Sequence, residues 1–302
     1  MTASPNSPIP TREERRARRE AKREKQRAAN IGRAAKMHAA RLDWEKNFRV
    51  ASISKGRASA QQFFVGCSGW FYWHWRGVFY PAGLPTARWF DHYVSRFKTV
   101  ELNAPFYSWP TIATVHAWMR QAGRHRFVYT VKAPELITHI KRFKGTKKLV
   151  RDFGHIADLL GERMGCFLFQ LPPSFHYTPA RLHSILSQLD PARRNVVEFR
   201  HRSWWNEKVF AAFRATGTIF CSCSGPRLPD ELIKTADEIY VRFHGVKQWY
   251  RHDYTPAELT AWADRIRASG ATRVYAYFNN DRDGHAIKNA RFLLRMLRKP
   301  MG

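Results

Sequence analysis

The sequence predicts a single (β/α)8 barrel preceded by a basic extension. Three observations predict it: eight short β-rich runs, helix-period segments between most of them, and polar residues at the C-terminal ends of the strands. Strands alternating with helices in units of about thirty residues imply parallel pairing. Eight such units in roughly 240 residues suit a closed barrel better than an open doubly wound sheet. The composition changes near residue 58, so the expected division is an extension over 1–57 and a barrel over 58–302.

The β-rich runs are Phe63–Cys67, Lys98–Leu102, Phe127–Val131, Cys166–Phe169, Asn195–Phe199, Thr218–Cys221, Glu238–Phe243 and Arg273–Phe278. Helical periodicity covers Thr86–Phe97, Ile112–Gln121, Leu149–Leu160, Pro179–Leu189, Lys208–Ala215, Pro256–Ser269 and Ala286–Leu297. Thr178-Pro179 and Thr255-Pro256 read as an N-cap followed by proline in the first turn. The sixth unit is weak, because between Cys223 and Glu238 only a short helix over Pro229–Ala236 fits. In the extension, Thr11 to Arg49 is Arg, Lys, Glu and Ala with few aliphatic side chains. The Glu14→Arg18 spacing supports a helix. With no apolar stripe it is expected to stay solvated or disordered rather than bury itself on the core. Phe48, Val50 and Ile53 are expected to tack its end onto the domain.

The net charge of +28 across 302 residues is far from average. Such a field favours polyanions, nucleic acid or acidic headgroups among them, while a generally basic proteome is the plainer explanation. No stretch approaches the roughly 18 apolar residues of a membrane span, and the start lacks the apolar block of a secretory signal. Cys67, Cys166, Cys221 and Cys223 are too sparse for a disulfide framework. Cys221-Ser222-Cys223 is a weak metal signal, better read as buried strand thiols. A reducing cytoplasm is the expected setting.

Strand parity indicates where a site would lie, because residues two apart share a face. Glu101 and Asn103 stand opposite Val100 and Leu102. Lys132 shares a face with Thr130 and Val128, and Gln170 with Leu168. Glu198 and Arg200 oppose Val197 and Phe199, while Arg242 and His244 oppose Val241 and Phe243. The eighth run ends in Asn279-Asn280-Asp281. Polar residues placed alike on six strands are a poor accident, since unpaired buried charge costs several kcal/mol. The strand C-termini are also where barrels of this kind carry their sites.

The dispersed motifs resemble the YecE-like family, domain of unknown function 72. They include Val65-Gly66-Cys67-Ser68-Gly69-Trp70, Val100-Glu101-Leu102-Asn103 with Phe106-Tyr107, and Lys132 with Ile137-Thr138-His139. Phe169-Gln170-Leu171-Pro172-Pro173, Glu198-Phe199-Arg200-His201 with Ser203-Trp204, Val241-Arg242-Phe243-His244-Gly245 and Phe278-Asn279-Asn280-Asp281 continue the match. The resemblance implies a (β/α)8 barrel of unassigned activity, similar in layout to endonuclease IV and xylose isomerase-like enzymes, and that analogy transfers no reaction. Where the family usually has an aspartate after the sixth strand, this chain has Cys221-Ser222-Cys223-Ser224-Gly225-Pro226.

The ring supports two classes of function. As a hydrolase-like enzyme on an anionic, phosphate-bearing or nucleic-acid-related substrate, Glu101 and Glu198 would divide acid and base roles, with Lys132 and His244 beside them. Lys132, Arg200 and Arg242 would clamp the anion. Asn103, Tyr107, His139, Gln170, His201, Trp204, Asn279, Asn280 and Asp281 would line it. A closed salt-bridge network, with Glu198 on Arg200 or Arg242 and Glu101 on Lys132, is the structural alternative. A divalent metal held by Glu101, Glu198, His244 and Asp281 is chemically sensible but unsupported by ligand spacing, and no nucleotide-cofactor fingerprint is present. The second class is a non-catalytic nucleic-acid-binding protein, with the basic extension on phosphates and rim aromatics on bases.

Overall fold

The computed structural model describes residues 11–47 and 61–299. Its eight strands are β1 Gln62–Cys67, β2 Thr99–Leu102, β3 Val128–Lys132, β4 Met164–Gln170, β5 Asn195–Glu198, β6 Ile219–Ser224, β7 Glu238–Phe243 and β8 Arg273–Phe278. They form one parallel sheet in the order β1-β8-β7-β6-β5-β4-β3-β2. The helices are α1 Arg12–Asn47, α2 Trp89–Arg96, α3 Ala104–Tyr107, α4 Ile112–Ala122, α5 Lys147–Leu160, α6 Pro179–Leu186, α7 Glu207–Thr216, α8 Pro256–Ala268 and α9 His285–Arg298. This is a (β/α)8 barrel, nearly closed.

At the seam between β1 and β2 a side chain does the work of a ladder. The Tyr93 hydroxyl accepts from the Cys67 N–H at 3.0 Å and donates to the Thr99 carbonyl at 3.1 Å. Gly66 is required there, since a Cβ would lie 2.4 Å from the Thr99 carbonyl oxygen. The predicted caps form: Thr178 accepts from the Arg181 N–H, and Thr255 with Glu258 makes a reciprocal capping box.

Alternation separates two apolar layers. Val100, Val131, Phe169, Val197 and Phe243 face the helices. Leu168, Val196, Ile219, Tyr240, Tyr275 and Tyr277 fill the lumen. Below the site the lumen is plugged by the Tyr277 hydroxyl, which lies 2.6 Å from Thr99 Oγ1 and 2.9 Å from Thr130 Oγ1. Most of the aromatic loop after β1 is likewise core, with Tyr80 stacked on Trp89 at 4.5 Å, although Phe71 and Trp73 stay exposed.

Two expectations need correction. No helix forms over Pro229–Ala236. The segment instead lies extended along β6, where the outward Ser222 and neighbouring backbone supply its partners. The Ile233 N–H donates to Ser222 Oγ at 2.8 Å, and Thr235 Oγ1 accepts from the Phe220 N–H and donates to the Thr218 carbonyl.

The extension also buries part of itself. The second half of α1 docks near α5 through Ala34 and Met37, with Asn30 and Arg41 buried beside them. Arg41 Nε and His38 Nδ1 each lie 2.9 Å from Asp152, and the Asn30 amide joins the Tyr107 carbonyl to the Trp109 N–H. This interface is mostly polar, which is why an apolar stripe did not announce it. Residues 12–25 of α1 remain exposed. Phe48, Val50 and Ile53 lie outside the described residues.

Candidate active site at the strand C-termini

The lumen parity of β2, β5 and β7 brings Glu101, Glu198 and Arg242 together, all essentially fully buried. Arg242 donates from one terminal nitrogen to Glu198 at 2.5 Å and from the other to Glu101 at 2.6 Å. Both oxygens of Glu101 are in use: Ser68 Oγ donates at 2.7 Å and the Tyr240 hydroxyl at 2.5 Å. Glu198 also pairs with Arg200. Burial alone would raise the Glu198 carboxyl, but Arg200 and Arg242 outweigh it and hold it well below the usual carboxylate range. Glu101 thus pairs with Arg242 and not with Lys132. Glu198 is therefore a poor proton donor at neutral pH, and both glutamates are engaged by Arg242.

His244 Nε2 lies 3.1 Å from Arg200 and 3.3 Å from Glu198, and Nδ1 faces Asn279 at 3.3 Å. Burial, with Arg200 and Arg242 nearby, keeps this imidazole neutral, its pKa well below the ordinary value. Arg200 in turn lies over the Trp249 ring at 4.5 Å.

Lys132 stands apart. Its ammonium donates to Gln170 Oε1 at 2.9 Å and sits 4.1 Å over the Phe106 ring, with no ion pair among the described residues. Burial and then Arg242 bring its pKa down to about 7. His139, carried on a π-turn over Leu136–Ile140, packs edge-on to Phe106. Burial and Lys132 bring it down to about 4. Asn103 donates to the Ser68 carbonyl at 3.2 Å, and its Oδ1 is buried without a partner.

Five expected lining residues lie elsewhere. Asn280 points outward and is bound to the His252 carbonyl and Asn289. Asp281 pairs with His74 at 3.3 Å in the loops. Trp204 is core, stacked on Phe199 at 3.9 Å. His201 caps its own turn through the Ser203 N–H and stacks on His176. The Tyr107 side chain is exposed on the outer rim. Ser68 and Tyr240 were missed, though the parity of β1 and β7 places both inward. Trp249 is on a loop, where no periodicity marks it.

The four proposed metal ligands do not assemble, because Asp281 is held by His74. Glu198, Cys223 and His244 do offer ligand atoms within 4.8 Å of one another. The Arg200 guanidinium, however, already binds both Glu198 and His244. That donor set therefore carries an arginine and does not fit a resident metal ion in this arrangement.

The fold and site define a (β/α)8 barrel with a buried, cation-rich polar ring at its strand C-termini. The chain belongs to the family described as protein of unknown function DUF72, whose model matches residues 64–301. It is similar to UPF0759 protein YunF of Bacillus subtilis (strain 168), 25% identical over 270 residues that span 78% of this chain and 94% of that protein. The crystal structure of a DUF72 family protein from Thermotoga maritima MSB8 superposes with a TM-score of 0.71 at 27% identity, covering 79% of this chain and 100% of that one. A DUF72 family protein from Enterococcus faecalis V583 shares the fold, with a TM-score of 0.65 at 18% identity over 80% of this chain and 99% of its own. α1 precedes the region the family model matches.

Proposed function

We propose that the ring is the active site of a hydrolase-like enzyme acting on a small anionic substrate, with Lys132 as the group that moves the proton. The observation that carries this reading is the isolation of Lys132. Three cations face two carboxylates, and Arg242 and Arg200 take both carboxylates. The surplus of cations over carboxylates favours an anionic substrate, and Lys132, with no carboxylate on it, is free to give up its proton near neutral pH. An amine that titrates near pH 7 is a competent general base for activating water. Arg200 and Asn279 are close enough to His244 to fix its tautomer and line the same mouth.

The test is a panel of phosphate and carboxylate esters assayed with Lys132→Met and Lys132→Arg. Turnover should fall by about a hundredfold or more in the Met variant, with the far-UV spectrum and urea transition retained. The wild-type rate should rise with pH through about 7, as the amine loses its proton. Full activity in Lys132→Met refutes the assignment.

A second reading, nucleic-acid binding, is favoured by one observation. Arg16, Arg18, Arg19, Lys22, Arg23 and Lys25 of α1 are all exposed, and that half of the helix lacks an apolar face. Such an arm suits a phosphate backbone better than a membrane interior. Oligonucleotide affinity that falls steeply with salt and weakens on changing these six residues to Gln would support it. Affinity indifferent to both would reject it.

A further inference from the structure

The loops that follow β6 and β7 enclose an open cleft of about 530 Å3, lined by Pro226, Arg227, Lys247, Gln248, Trp249 and Arg251. Arg227, Lys247 and Arg251 are exposed, and no carboxylate lines the cleft. None of the three makes an ion pair among the described residues. Like charges gathered on one concave surface repel one another, and an anion of matching size relieves that repulsion.

The cleft is built on ordered backbone. Its second loop is a compact turn in which the Tyr250 N–H donates to the His244 carbonyl at 2.6 Å. Gly245 at its start has φ +103 and no room for a Cβ, which would lie 2.5 Å from the Gln248 carbonyl oxygen. Trp249 is wedged against Gly225, where a Cβ would meet the indole at 3.0 Å. Arg200 lies over the same indole at 4.5 Å, and His244 is 5.4 Å from it. One tryptophan is therefore wall to both the cleft and the ring, and the two form a continuous surface at the mouth of the barrel.

We propose that this cleft binds a phosphoryl group of the substrate, through Arg227, Lys247 and Arg251 with Gln248 as an uncharged donor. The inference rests on the reading of the ring as a substrate site and adds the substrate's class: a phosphorylated compound whose phosphate sits outside the ring while its reacting end faces Lys132. Three cations and an amide match a tetrahedral dianion with three free oxygens. A carboxylate, with one charge and two oxygens, would leave part of the set unused.

The experiment is calorimetric titration of the full chain with inorganic pyrophosphate at low salt. Arg227→Gln/Lys247→Gln/Arg251→Gln should bind roughly tenfold more weakly or worse, since it loses the charge-assisted contacts. Lys132→Met should stay within about twofold of wild type, because the contacts of Lys132 are with Gln170 and Phe106, neither of which lines the cleft. Absence of pyrophosphate binding in the wild type overturns the proposal, as does unchanged binding in the triple variant. Binding lost in Lys132→Met but kept in the triple variant also overturns it, by placing the anion in the ring, and leaves the Lys132 assignment standing. Binding lost only in the triple variant, with Lys132→Met fully active, keeps the cleft and removes the Lys132 assignment. Displacement of pyrophosphate by a short single-stranded oligonucleotide without terminal phosphates overturns the proposal, because a phosphodiester has one charge and two free oxygens, and failure to displace it supports a small phosphorylated molecule.

Discussion

The ring and the cleft each gather three cations within the same mouth of the barrel, and they differ in almost everything else. In the ring, Arg242 and Arg200 are bound to Glu101 and Glu198, which are fully buried. In the cleft, Arg227, Lys247 and Arg251 are exposed and face no carboxylate. Removing a charge from water without a partner is expensive, so buried cations must recruit carboxylates. Exposed ones keep their hydration and need none. A formal charge counted in a sequence therefore says little about the charge a ligand meets. Most of the ring's cationic charge is spent internally, and Lys132 is its remainder. The cleft's charge is open.

The largest effect should come from breaking the ring at its hub. Arg242→Met leaves two buried carboxylates without their shared counter-ion, and urea unfolding should show a loss of about 3–5 kcal/mol. Adding Glu101→Gln and Glu198→Gln to that variant should recover much of it. A change under about 1 kcal/mol in Arg242→Met would mean that the buried network is not what the contacts describe.

A middle-sized effect concerns Lys132. Its folded pKa, about 7, lies below that of a free lysine, so the unfolded chain binds the extra proton between about pH 7 and 10. Over that window wild-type stability should rise with pH relative to Lys132→Met, with a slope of at most about 1.4 kcal/mol per pH unit. Below pH 7 both states are protonated and the difference should flatten. Parallel stability curves for the two proteins would show the amine to be solvated like the cleft's cations, and the contrast between the regions would shrink.

The smallest effect belongs to the cleft. The Gln triple variant at Arg227, Lys247 and Arg251 should change stability by no more than about 0.5 kcal/mol in the absence of ligand, or gain slightly as repulsion is relieved. A large destabilisation would show that these side chains hold the loops rather than wait for an anion.

Much of this arrangement was legible in the residues. Alternation alone put Glu101, Lys132, Gln170, Glu198, Arg242 and His244 on one face of their strands, and the eight runs match the eight strands with small shifts at their ends. The same rule, applied beyond the last regular residue, stops working. Asn279 continues the lumen parity of β8 and reaches His244, and Asn280 turns outward to Asn289 as alternation requires, but Asp281, due to face the lumen again, pairs with His74 in the loops. Trp204 and His201 sit past β5, where short-turn geometry replaces the pleat and sends them to the outer layer. The docking of α1 escaped for a different reason. It rests on Arg41 and His38 meeting Asp152, residues more than a hundred positions away, which no local pattern encodes.

By itself the sequence determined the architecture and which side chains share the lumen, because both follow from periods of two and 3.6 residues that each segment carries locally. Only the tertiary structure decided which cation takes which carboxylate, that Arg200 reaches both Glu198 and His244, and that Lys132 is left over. Those choices depend on distances across the barrel mouth and on burial. Neither is a property of any single strand.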